Sequence, residues 1–244
     1  MPDFLTIVLS QTNCYLLKLE NGFLLIDCGN ASDKDSFLKT LGNLGITIKD
    51  IRYLFLTHHH NDHCGLMKHI TSENPSVRAI MGWKCAEYME TGIHFKHNNE
   101  KYSNSALKMI IGIYSKFRKN RSGKFTPYYK RKHDIIIERD VDNTLPLLGI
   151  EGKIILTPGH TEDSISIIAG RAAFVGDAAR NMLNITGMPY YPIMYYDAEK
   201  CRESWHKLAE SGAKTIFPAH GKPFNINELM PLINKRANRN LPST

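Results

Sequence analysis

The chain of 244 residues contains 42% hydrophobic and 23% charged residues, which is an ordinary globular composition. These proportions exclude a disordered, collagen-like or coiled-coil protein, and no apolar run reaches the roughly 18 residues of a membrane-spanning helix. The five cysteines form no CxxC pair, so neither a disulfide framework nor a cysteine-rich zinc knuckle is expected. The N-terminus lacks the pattern of a signal peptide, so we expect a cytoplasmic protein.

The net charge of +7 is concentrated in one part of the chain. Residues 84–133, which we call the basic segment, hold twelve Lys or Arg residues against three Glu, a net charge of +9. The remainder carries a net charge of −2. Such a segment is either a solvated helical face or a surface that attracts an anionic substrate, a lipid surface or nucleic acid.

Outside the basic segment, short apolar runs alternate with helical patterns. Strands are predicted at 4–9, 13–19, 22–27, 51–57, 77–81, 134–137, 153–157, 164–169, 172–175 and 215–217. Helices are predicted between Ser32 and Gly45, at 65–73, between Asp197 and Gly212, and at 227–238. The basic segment has helical patterns at 85–91 and 105–114. We therefore expect a single α/β domain over 1–244, with the basic segment inserted as a helical cap.

Four of these predicted strands run directly into side chains that bind metals. The strand at 51–57 leads into the run His58-His59-His60-Asn61-Asp62-His63. Three later strands lead into His160, Asp177 and His220. Because the carboxyl ends of strands converge on one edge of an α/β fold, these groups should meet there. Five imidazoles and two carboxylates are more than one zinc ion uses, and a carboxylate can bridge two ions. The pattern predicts two divalent metal ions, with zinc expected and iron or manganese as alternatives.

The same motifs resemble those of the metallo-β-lactamase superfamily. HxHxDH at 58–63 is followed by TPGHT at 157–161, GD at 176–177 and PAHG at 218–221, and the opening TNCYLL and LLIDCG resemble that family's first hairpin with Asp27. The resemblance implies a four-layer αβ/βα sandwich. It also implies a first metal on His58, His60 and His160, a second on Asp62, His63 and His220, and Asp177 bridging both. His59 and Asn61 are expected to point away from the metals.

Two metals held in this way would carry a bridging hydroxide that is nucleophilic at neutral pH, because metals lower the pKa of bound water from about 15.7 to about 7. Asp62 would be catalytic, since it can orient that hydroxide and exchange a proton with it. We predict a metal-dependent hydrolase that cleaves an ester, thioester or lactone of a small, anionic molecule. Phosphodiester cleavage, by a phosphodiesterase or nuclease, and oxidation by a mononuclear iron sulfur dioxygenase remain alternatives.

The hydroxyacylglutathione hydrolase and lactonase branch of the superfamily is the most similar. True β-lactamases lack a bridging aspartate at the position of Asp177, and flavodiiron proteins have glutamate at that of His60. The helical C-terminal domain of hydroxyacylglutathione hydrolases is not expected, because the sequence continues for only 24 residues after His220.

The residues that contact the substrate leave a weaker signal. Arg180 follows Asp177 where lactonases are expected to place a tyrosine, and a tyrosine cluster lies nearby; Arg180, Tyr190 and Tyr191 are our candidates for substrate binding. His94, His97 and His133 of the basic segment are expected at the solvent. A small molecule is the expected partner and nucleic acid is not favoured, while the oligomeric state is left open and a dimer is compatible with the sequence.

Overall fold

The computed structural model describes residues 2–117, 124–140 and 144–234. Its strands in chain order are β1 (Phe4–Val8), β2 (Asn13–Leu19), β3 (Gly22–Ile26), β4 (Ile51–Phe55), β5 (Arg78–Gly82), β6 (Lys101–Tyr102), β7 (Ile135–Ile137), β8 (Gly152–Leu156), β9 (Ile165–Ala169), β10 (Ala172–Gly176), β11 (Met194–Tyr195), β12 (Thr215–Pro218) and β13 (Phe224–Asn225). Its α-helices are α1 (Lys34–Asn43), α2 (Asn61–Cys64), α3 (Met67–Glu73), α4 (Trp83–Thr91), α5 (Ser105–Phe117), α6 (Thr144–Leu147), α7 (Ala198–Glu210) and α8 (Met230–Ile233).

Two large sheets form the centre of the structure. The first has the strand order β1-β2-β3-β4-β5-β7, and the second has the order β13-β12-β10-β9-β8. β3, β4 and β5 pair in parallel, so their carboxyl ends lie at one edge of the first sheet. In the second sheet β10 and β12 are parallel to each other, and β9 runs antiparallel to both β8 and β10. β8, β10 and β12 therefore also end at a common edge.

Alternating side chains place the main core between the two sheets. Leu24 and Ile26 of β3 face the same buried cluster as Phe174 of β10, whereas Leu25 faces the helices on the other side of the first sheet. This alternation is the period of two that strand geometry imposes. The aromatic rings of Phe4, Tyr15, Phe174 and Phe217 meet in this core, with centroids 4.9–6.1 Å apart.

Helices cover the outer face of each sheet. Phe37 of α1, Met67 of α3 and Met89 of α4 pack in one cluster against the first sheet, and Trp205 of α7 packs in another against the second. The indole Nε1 of Trp205 donates a hydrogen bond to the carbonyl oxygen of Ala178 at 2.7 Å. The layers are helices, sheet, sheet, helices, and the predicted αβ/βα class is confirmed.

The basic segment connects to both parts of the sandwich. Its first helix, α4, follows β5 directly and buries Cys85, Ala86 and Met89 in the core of the first sheet. After that helix, β6 pairs in antiparallel fashion with β11, which lies between the second sheet's β10 and α7 in the chain. Residues 118–123 of the segment lie outside the described residues. The boundary of the inserted cap stays a prediction.

Each predicted strand is present, and its ends differ from the predicted ends by at most two residues. The predicted final helix is replaced by a 3-10 turn at Ile226–Leu229 and the short helix α8, which has Pro231 in its first turn, while 235–238 lie outside the described residues. The sequence did not predict β6, β11 or β13, because two-residue strands leave no periodicity. Among the described residues, no helix combines the length and apolarity needed to cross a membrane.

The core between the sheets supplies the first prediction. Phe174→Ala removes a fully buried ring that contacts three other aromatic rings, so we expect the free energy of unfolding to fall by about 3–5 kcal/mol. Urea denaturation followed by circular dichroism measures the change. Leu147→Ala is the control, since Leu147 is 81% exposed and its removal should change stability by less than about 0.5 kcal/mol. Equal stability of both variants would contradict this placement of the core.

Candidate metal centre

The two sheet edges described above bring the predicted ligands into one cleft. The first sheet supplies four of them from the turn and short helix α2 that follow β4. The second sheet supplies the other three from the turns after β8, β10 and β12, and the seven are His58, His60, Asp62, His63, His160, Asp177 and His220. Glycine is needed in one of these turns, since Gly176 has a φ of +53° and a Cβ there would lie 2.4 Å from Thr57 Oγ1.

The ligand atoms form two groups of three. The nitrogens of His58, His60 and His160 lie within 4.8 Å of one another, with His60 Nδ1 3.1 Å from His160 Nε2. The ligand atoms of Asp62, His63 and His220 are equally close, with His220 Nε2 3.4 Å from Asp62 Oδ2. Each group could hold one metal ion.

Asp177 stands between the two groups. Its Oδ1 lies 3.4 Å from His63 Nε2 and 3.2 Å from His220 Nε2, and its Oδ2 lies 3.5 Å from His160 Nε2. One oxygen therefore faces each group, which is the arrangement of a carboxylate that bridges two cations.

Several of these atoms are buried without a hydrogen-bond partner. Among the described residues, none makes a hydrogen bond with His58 Nε2, His63 Nε2 or Asp177 Oδ1, although all three are shielded from solvent. A buried polar atom left in this state costs about 1–3 kcal/mol. Divalent cations would satisfy these nitrogen and oxygen atoms together, so the donor set fits the metals that the sequence implies.

Asp27 fixes the orientation of the ligands on the first sheet. Its carboxylate accepts hydrogen bonds from the backbone N–H of Thr57 and from Thr57 Oγ1, both at 2.8 Å, and lies 2.8 Å from His63 Nδ1. The contact with Nδ1 leaves Nε2 of His63 directed at the cleft. Asp27 is buried and has a φ of +57°, a strained conformation that non-glycine residues rarely adopt.

Backbone carbonyl oxygens orient two ligands of the second sheet. His160 Nδ1 lies 2.7 Å from the carbonyl oxygen of Met194, and His220 Nδ1 lies 2.7 Å from that of Gln11. Such partners fix the ring orientation and leave the other nitrogen for a metal. Sequence analysis did not predict the roles of Met194 and Gln11, because any amino acid supplies a carbonyl oxygen.

The electrostatic environment differs between the two groups. Burial lowers the pKa of His58 and His60, and neighbouring imidazoles lower both further. Burial opposes the protonation of His220 too, but the carboxylates of Asp177 and Asp62 together outweigh it and the pKa of His220 rises to about 10. The pKa of His63 is also raised, because Asp27 and Asp177 outweigh its burial. A metal in the second group must therefore displace protons.

The two carboxylates of the cleft are held in their charged form. Burial favours their neutral form, yet the imidazoles of His63 and His220 outweigh it and lower the pKa of Asp62 to about 2. The same two imidazoles hold the pKa of Asp177 well below its usual range. Negative charge is thus available to bind cations over the whole neutral range.

The two residues between the ligands of the HxHxDH motif point away from the cleft, as predicted. His59 Nδ1 lies 3.0 Å from the carboxylate of Asp163, and its Nε2 accepts the backbone N–H of Phe95 at 3.0 Å. Asn61 Nδ2 is 3.5 Å from Asn30 Oδ1. His59 thus connects the ligand loop to the basic segment.

The predicted exposure of the histidines in the basic segment is confirmed only for His133. His94 is half-buried and stacks on His60, with ring centroids 3.7 Å apart and an interplanar angle of 22°. His97 is half-buried and stacks on Tyr196 at 4.4 Å. The prediction was wrong for His94 and His97 because hydrogen bonds to His59 and Tyr196 hold their segment against the cleft. Charge and periodicity in the sequence do not reveal such contacts.

The side-chain hydrogen bonds and ring contacts described for the three candidates for substrate binding are with residues other than the seven ligands. Arg180 is buried, and its guanidinium donates hydrogen bonds to the carbonyl oxygens of Met182 and Met188, the latter at 2.9 Å. Burial lowers its pKa to about 10, although the charge of Asp177 acts in the opposite direction.

The two tyrosines of this set face different neighbours. Tyr190 packs on Phe224 and hydrogen-bonds Glu228, and Tyr191 packs edge-on against Trp205. A role in substrate binding for Arg180, Tyr190 and Tyr191 stays a prediction.

Comparison with known proteins agrees with this geometry. The metallo-beta-lactamase superfamily profile matches residues 7–220. The chain is 27% identical over 210 residues to the metallo-beta-lactamase fold-containing protein ST1585 of Sulfurisphaera tokodaii, covering 85% of this chain and 71% of that protein. It is 24% identical over 252 residues to the probable metallo-hydrolase YqjP of Bacillus subtilis, covering 91% and 70%.

A solved structure gives the same result for the fold. The crystal structure of ST1585 from Sulfolobus tokodaii matches with a TM-score of 0.62 and 20% identity, over 96% of this chain and 86% of that chain. The profile match spans all seven ligands, the hairpin with Asp27 and most of both sheets. The chain therefore belongs to the metallo-β-lactamase superfamily.

Proposed function

We propose that this metal-dependent hydrolase binds two divalent ions, most simply zinc, and cleaves an ester, thioester or lactone bond in a small anionic molecule. The position of Asp177 carries the proposal, because its two oxygens face the two groups of three ligands. When bound, the metals would activate a water molecule as the nucleophile and polarise the bond to be cleaved.

The residues of the chain would have distinct roles in this reaction. His58, His60 and His160 would hold one ion and Asp62, His63 and His220 the other. Asp62 would also be the catalytic proton acceptor, since its carboxylate is charged, only partly buried and at the mouth of the second group. Asp27 would keep His63 in the ring orientation that the second ion requires.

The preference for an anionic substrate rests on the basic segment. The segment has a net charge of +9 in its sequence, and its described part brings His94 to the cleft. Positive charge near a cleft raises the local concentration of anions. The same observation favours phosphodiester cleavage as the second candidate function. Seven ligands in two groups favour either hydrolase over a dioxygenase with one iron on two histidines and an aspartate.

Metal content tests the ligand assignment. We expect about two divalent ions per chain in the purified protein, and the loss of at least one in His58→Ala and in His220→Ala, because each removes a nitrogen from a different group. Mass spectrometry of the metals measures this. His206→Ala is the control, since His206 is exposed on α7 and pairs with Glu210. Full metal content in both ligand variants would show the assignment to be wrong.

Asp177→Asn tests the bridge. The amide keeps the shape but removes the charge shared between the two groups, so kcat should fall by more than roughly 100-fold, the upper end of the loss from an outer-shell partner. The melting temperature should change little, because the sheets have their own core. Asp35→Asn, at an exposed position on α1, should keep wild-type turnover. Wild-type turnover of Asp177→Asn under limiting zinc would rule out the bridge.

A substrate panel with varied salt tests the reaction class. The panel contains p-nitrophenyl acetate, a thioester, a lactone and bis-p-nitrophenyl phosphate, and we expect one of the first three to be cleaved fastest. For an anionic substrate kcat/KM should fall between 0.1 M and 1 M salt, because the Debye length shortens from about 10 Å to about 3 Å. A neutral analogue should show little dependence.

Neutralising charge identifies the source of this salt effect. Replacing the exposed Lys96 and Lys101 with Gln should reduce the salt dependence, whereas replacing the exposed Lys39 and Lys49 should not. Fastest cleavage of the phosphodiester would select the second candidate function. Identical salt profiles for anionic and neutral substrates would show that the basic segment is only a solvated surface.

A further inference from the structure

We propose that His94 of the basic segment contacts the substrate and donates a hydrogen bond from Nε2 to an oxygen of the group being cleaved. The proposal rests on the proposed function, since it assigns a substrate contact to the same cleft. It adds a residue outside the seven ligands.

The position of the His94 ring is the first observation that supports this contact. Its ring lies flat on that of His60, with centroids 3.7 Å apart, and its centroid is 5.6 Å from that of His59. His60 belongs to the first ligand group. The imidazole of His94 therefore lies at the cleft, against one of the candidate ligands.

The second observation is that Nε2 of His94 has no hydrogen-bond partner among the described residues. This atom is also shielded from solvent. His58 Nε2 and His63 Nε2 share this state, and both belong to the ligand groups. Buried polar atoms are normally paired, so an unpaired one beside a reaction site indicates a partner that arrives with a ligand.

Two contacts hold the backbone around His94 in place. The carboxylate of Asp163 faces Nδ1 of His59, which leaves Nε2 of His59 to accept the N–H of Phe95 at 3.0 Å. The ring of Phe95 stacks on that of Tyr88 of α4, with centroids 4.7 Å apart and nearly parallel planes. His94 thus precedes a residue that is fixed through both its backbone and its side chain.

The loop that carries the ligand His160 anchors the same segment further along. Glu162 contacts Lys84 and the hydroxyl of Tyr88, and its Oε1 lies 3.8 Å from His97 Nε2. Beyond His97, Asn99 Nδ2 donates a hydrogen bond to the carbonyl oxygen of Tyr196 at 2.9 Å. A group positioned in this way before the substrate arrives can stabilise charge that develops in the reaction.

Packing on His60 is the competing explanation for His94. Two variants separate the explanations, because His94→Phe keeps a flat ring on His60 and removes the nitrogen, whereas His94→Gln loses the ring and restores an N–H donor. His133→Phe is the matched control, since His133 lies in the same basic segment and its side chain is exposed.

The experiment uses the full-length zinc-loaded protein with p-nitrophenyl acetate as substrate and inorganic phosphate as a non-reacting oxyanion. For His94→Phe we expect kcat/KM to fall roughly 10²–10³-fold, as when one hydrogen-bond donor to a developing oxyanion is removed. Calorimetry should show phosphate binding weakened about 2- to 12-fold, the loss of one net hydrogen bond. Zinc content and melting temperature should stay unchanged. His94→Gln should recover part of both losses, and His133→Phe should stay within about two-fold of the wild type.

Two results would overturn the proposal. Wild-type hydrolysis and phosphate binding in His94→Phe would show that the ring only packs, and zinc loss in both His94 variants would show that it only supports His60. If the wild type cleaves no member of the substrate panel, the proposed function fails, and phosphate binding alone then decides whether His94 contacts an oxyanion in the cleft.

Discussion

The rest of the structure depends on the carboxylate of Asp27. It binds the N–H and the hydroxyl of Thr57 and the Nδ1 of His63, and thereby ties the end of β3 to the turn and helix that carry four of the seven ligands. Thr57 in turn accepts the N–H of Ile165 at 2.9 Å and contacts Gly176, so the two sheets meet at this residue. The strain of a left-handed aspartate is offset by three hydrogen bonds to a buried charge.

The metal centre combines two electrostatic environments across this junction. The histidines His58 and His60 are surrounded by other imidazoles and are disposed to be neutral, which is the state that binds metal. His63 and His220 are surrounded by carboxylates and form ion pairs with Asp62 and Asp177. A cation bound there would replace the protons of His63 and His220, and the carboxylates of Asp62 and Asp177 would remain available to bind it. Asp177 belongs to both environments, since its two oxygens face opposite sides.

The basic segment is built into the catalytic face rather than attached to its edge. α4 lies in the core of the first sheet, β6 pairs with β11, and the loop between them reaches His59 and Tyr196. His59 lies between two candidate ligands of the HxHxDH motif, and it joins the ligand loop to Phe95. The same short stretch of chain thus presents candidate metal ligands at alternate residues and binds the basic segment through the residue between them.

The sequence by itself determined the sandwich fold, the strands that end in candidate ligands and the seven residues that the structure brings into one cleft, because strand periodicity and short motifs are local properties. Only the tertiary structure decided that Arg180 lies buried against the carbonyl oxygens of its own loop, that Met194 and Gln11 orient two ligands, and that His94 lies on His60. The last two features depend on contacts between residues 34 to 209 positions apart, and Arg180 depends on carbonyl oxygens that any residue supplies. Neither kind of contact leaves a pattern in the order of the amino acids.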